Sequence, residues 1–162
     1  MSYWAPGEHL VRIYDALYSS MAEVASQARD ATCVVRLHEA SREFGYLALE
    51  LRGDGHVDAD PLVATLVRRS LADDETGALT LFALALLVGP RLLVSLRDYL
   101  DVEDDPGCRA LLSHGSDVVV REVLATGRVM TAHEDPRRAS AAQELRAVLD
   151  GAGMAESLGQ HR

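Results

Sequence analysis

The densest set of side chains able to hold a metal is GDGHVDADP, where His56, Asp58 and Asp60 follow Asp54 at alternate positions. Alternating acids in a glycine-rich loop are how calcium sites present oxygen ligands. The full loop pattern fails here, because no glycine stands at the turn position and no glutamate follows where the bidentate ligand belongs. Asp60 also precedes Pro61, so capping a helix explains it without a metal. The other histidines are His9, His38, His114, His133 and His161, and no two of them have the i, i+4 spacing that puts a pair of imidazoles on one helix face. Ser113, His114, Ser116 and Asp117 are the residue types of a hydrolase triad, yet such triads assemble from distant segments and need a sharp exposed turn. Local capping accounts for all four. No strand, glycine turn and helix succeed one another as a nucleotide loop requires. These residues argue against an enzyme, and they call for neither metal nor cofactor.

Two further groups bear on binding. Asp101, Glu103, Asp104 and Asp105 form an acidic run before a helix start, where the helix dipole favours negative charge. The same run is the feature that would suit a basic protein partner. Phe82, Leu86 and Tyr99 lie around Gly89-Pro90, and a bend there would leave room for an apolar small molecule; a filled core is the competing explanation. In general plan this resembles the ligand-binding half of helical one-component repressors, without the helix-turn-helix that reads DNA.

The elements that must carry these residues are helical. Residues 79–100, LTLFALALLVGPRLLVSLRDYL, are the most apolar stretch, and a helix apolar on every side belongs at a domain centre. Gly89-Pro90 predicts a kink or break in it, since proline lacks a donor and clashes with the carbonyl four residues back. Over 8–29, Leu10, Ile13, Leu17, Met21, Val24 and Ala28 recur at helical spacing, with Arg12, Asp15, Ser19 and Glu23 opposite. Tyr14 and Tyr18 widen the stripe enough for Leu10, Leu17 and Val24 to serve a second copy of the chain. Residues 31–52 read as a second helix, with a small hairpin at 33–52 as the alternative because 46–52 alternates strictly. Asp60-Pro61, Asp105-Pro106 and Asp135-Pro136 mark helix starts for 61–72, 106–126 and 136–150, and Asp74 is placed to cap the central helix. His114-Gly115-Ser116 predicts a split in the 106–126 helix, and Gly127 its end.

At 162 residues the chain fits one domain, 1–151, with a loose tail over 152–162. The expected fold is all-α: about six helices around a kinked apolar centre, with the α+β variant confined to the possible hairpin. All 16 basic residues are arginine and asparagine is absent, which reflects GC-rich coding and not phosphate chemistry. A net charge of −9 argues against nucleic acid and against an anionic membrane surface. The start MSYWAPGEHL lacks an export signal, and the break at Gly89-Pro90 shortens the apolar run below a membrane span, so a cytoplasmic location is expected. Cys33 and Cys108 are then reduced thiols. The functional expectation is a non-enzymatic regulatory or adaptor module acting as a homodimer, with an apolar-ligand sensor or carrier as the alternative.

Overall fold

The computed structural model describes residues 4–52 and 75–131 and a few positions between 140 and 147, the latter helical. Every described element is a helix and none is a strand: α1 Ala5–Gln27, α2 Ala31–Arg52, α3 Ala78–Val102 and α4 Pro106–Thr131. The expected helices at 61–72 and 136–150, the His56–Asp60 loop, the Asp74 cap and the 152–162 tail lie wholly or mostly outside the described residues.

α1 begins where Pro6 needs no donor, with Glu8 in the first turn. Trp4 docks across the start of the bundle, its Nε1 donating to Glu103 Oε2 at 2.8 Å. After 28–30 the chain reverses into α2, whose free N-terminal amides are met by Asp30: its Oδ1 accepts from Cys33 N at 2.9 Å. α1 and α2 pack antiparallel along their length. Leu10, Ile13, Tyr14, Leu17 and Met21 meet Leu37 and Phe44 there, all at most 1% exposed. The 33–52 hairpin is therefore excluded, because alternation over seven residues cannot outweigh the apolar face Cys33, Leu37, Ala40, Phe44, Leu47 and Ala48 that only a helix assembles.

Gly77, at φ +87°, turns the chain into α3, and Thr76 Oγ1 accepts from Ala78 N at 3.2 Å. Apart from Leu86, every residue over 78–88 is buried, as its composition requires. The Gly89-Pro90 step does not end the helix. Leu84–Val88 is π-helical, and the Gly89 N–H reaches back five residues to Leu84 O before α-helix resumes to Val102. The resulting 25-residue helix is long and apolar enough to cross a membrane by length and composition, contrary to the expected shortening. Within its most apolar window 67% is buried inside the protein, as in a core helix.

α4 is capped as expected: Asp105 Oδ2 accepts from Cys108 N at 2.9 Å, which holds that carboxyl below its usual range. The helix then runs unbroken through His114, Gly115, Ser116 and Gly127 to Thr131, correcting both expected interruptions. Gly115 is there for close approach. A methyl at that position would lie 2.6 Å from the Tyr14 hydroxyl oxygen, and Tyr14 is only 1% exposed. Gly115→Ala should therefore destabilise by about 2 kcal/mol instead of gaining helix propensity. Tyr14→Phe in the same chain should recover most of that loss in urea titrations, because it removes the atom in the way.

Candidate interaction surface

The candidate catalytic types stay apart. Ser113, His114, Ser116 and Asp117 ride one continuous helix, and His114 Nε2 sits 3.5 Å from Glu50 Oε2 on a half-exposed surface. Such an exposed pair contributes little. Among the described residues no group of three His, Cys, Asp or Glu side chains could hold a metal. His9 meets Tyr99 edge-on, ring centroids 6.4 Å apart. Cys33 is buried and Cys108 half-buried, both free thiols.

The apolar residues are placed differently from expectation. Leu10, Leu17 and Val24 are 0%, 1% and 3% exposed, packed in the chain's own core. Phe82 is buried, Leu86 is 51% exposed and Tyr99 is half-buried. Leu86 and Tyr99 lie thirteen residues apart on one helix, about 20 Å along its axis, too far to line one small pocket. In the acidic run, Asp105 caps α4, and Glu103 receives the Trp4 indole and the Asp105 N–H.

Two features that sequence did not announce stand out. The first is a buried ion pair: Arg36 Nη2 donates to Glu122 Oε2, joining α2 to α4, with the two residues 9% and 4% exposed. Arg36 Nη1 also lies 3.2 Å from Glu39 Oε2. Burial raises the Glu122 carboxyl above its usual range, the Arg36 charge opposing and Glu43 reinforcing the shift. Arg36 Nε and the Thr126 hydroxyl are buried with no hydrogen-bond partner among the described residues.

The second is a groove of ≈ 500 Å³ along the outer face of α1 and α2, lined by Tyr18, His38, Arg42, Tyr46 and Leu49 among others. Its floor is fixed locally. Gly45 leaves room for the Tyr18 ring, whose Cδ2 would be 2.9 Å from a methyl there, and Ser41 Oγ donates to Tyr18 O at 2.8 Å. Arg52 closes one end against Asp15 at 3.2 Å. The signal lay in 38, 42, 46 and 49, a helical stripe on the side of α2 opposite its apolar face. A pocket of this size with aromatic walls and a few polar groups suits recognition of a ligand or partner. Comparison of the chain with family models, curated proteins and solved structures finds no match.

Proposed function

We propose that the protein is a non-enzymatic helical regulatory or adaptor module, cytoplasmic, acting through protein–protein contacts. The observation that supports this most is the uncovered α1–α2 face, where Tyr18, Tyr46 and Leu49 are 46%, 60% and 53% exposed. Single exposed apolar residues are ordinary, but two tyrosines and a leucine around one groove make a patch that gains from being covered. In this reading the helices expected at 61–72 and 136–150 bring the bundle to about six, and α3 bends at Gly89-Pro90.

A two-fold homodimer belongs to the same reading, since paired copies are the commonest assembly. With Leu10, Leu17 and Val24 buried, one strip among the described residues that a second copy could cover is Val120 and Leu124 on α4, 42% and 58% exposed. Light scattering should give twice the 17.6 kDa chain mass, and Leu124→Glu should return it to one. A wild-type chain that stays single at every concentration removes the dimer. An apolar-ligand pocket has less to support it, given the spread of Phe82, Leu86 and Tyr99.

A further inference from the structure

We propose that the α1–α2 groove is the docking site for an acidic amphipathic helix of a protein partner. The inference rests on the contact reading above and adds the partner's chemistry. α2 separates its charges onto two stripes. Glu43 and Glu50 turn toward α4, where Arg121 Nη2 reaches Glu43 at 2.9 Å and His114 faces Glu50, while Glu39 sits on Arg36. His38 and Arg42 fall on the other stripe, beside Tyr46 and Leu49.

Among the described residues lining the groove the one carboxylate, Asp15, is paired with Arg52. Arg42 has no ion-pair partner among the described residues, and the His38 imidazole shares the groove lining with it. On a chain carrying −9 overall, the described lining of this groove holds two guanidiniums, Arg42 and Arg52, against the Asp15 carboxylate. Parallel ridges of two packed helices leave a furrow that accepts a third helix, with apolar anchors spaced three and four apart. Tyr18, Tyr46 and Leu49 offer those anchors a wall, and acidic flanks on the incoming helix would meet Arg42 and His38. A basic partner would find an unpaired guanidinium facing its own charges.

The test is selection from a display library of short amphipathic helices whose charged flanks are randomised, against the full chain. The selected pool should be enriched in Asp and Glu, weaken as salt is raised, and lose about tenfold in affinity against Arg42→Glu. A pool without acidic excess that still loses binding to Tyr46→Ala and Leu49→Ala overturns the acidic partner while the contact reading stands. An empty selection, or a pool that none of these exposed substitutions weakens, overturns both.

Discussion

Glu122→Ala is expected to lower unfolding free energy by about 3 kcal/mol, whereas Glu122→Gln should lower it by roughly 1 kcal/mol or less. The difference follows from what each change leaves behind. Alanine strips the buried Arg36 Nη2 of its acceptor, and a guanidinium cannot escape by losing its proton. Glutamine keeps an oxygen in place and removes only a charge whose burial is already unfavourable. Arg36→Met should cost less than Glu122→Ala, because the carboxyl left behind can take up a proton. Replacing both at once, Arg36→Met with Glu122→Leu, should come within about 1 kcal/mol of the parent or exceed it. Urea titrations of the four variants give the comparison directly, and a glutamine variant as weak as the alanine one would refute it.

The same pair predicts a pH dependence with a definite sign. The Glu122 carboxyl is held above its ordinary 4.5, so just above that value the folded chain keeps a proton that the unfolded chain has released. Its contribution to stability is therefore full below 4.5 and declines as pH rises through the folded value. Subtracting the Glu122→Gln profile from that of the parent isolates this decline from the other carboxylates. A difference that grows in the parent's favour with rising pH would reverse the assignment.

Gly89→Ala is expected to destabilise by about 2 to 3 kcal/mol, the opposite of the gain of about 1 kcal/mol that alanine gives in an ordinary helix. The added methyl would stand 2.4 Å from Val123 Cγ2 and 2.6 Å from Leu84 O. Val123 can be trimmed, so Val123→Ala should restore part of the loss. The Leu84 oxygen cannot move freely, because the Gly89 N–H holds it across the π-helical turn. Thermal melts of the single and double variants read both effects, and a stabilised Gly89→Ala chain would show that no such close approach exists.

Much of the fold is written locally. The recurrence of Leu10, Ile13, Leu17 and Met21 is enough for α1, because only a helix brings those positions to one face. Asp105 caps α4 through its own loop, with no help from a distant residue. The apolar run around Leu81 and Leu84 dictates burial whatever surrounds it. Glycine is where local reading fails. Gly115, Gly89 and Gly127 look alike in the sequence, yet two admit Tyr14 and Val123 at short range, while a methyl on the third would meet none of the described residues of other elements within 4 Å. Whether a glycine breaks a helix or lets one come close depends on which neighbour arrives, and the sequence around it does not say.

The site was the less legible part. The stripe that sequence offered to a partner, Leu10, Leu17 and Val24, is the one that α2 covers, because the widest apolar face is claimed first by the chain itself. Arg36 and Glu122 stand 86 residues apart, and their meeting is decided by how α2 and α4 cross. The groove likewise exists only once α1 lies beside α2 and Glu43 and Glu50 are engaged by α4. Sequence alone determined that this chain makes helices and which side chains must leave water, since periodicity and transfer from water act residue by residue. Tertiary structure decided which polar groups pair and which face stays uncovered, because those depend on distances between segments that no local pattern encodes.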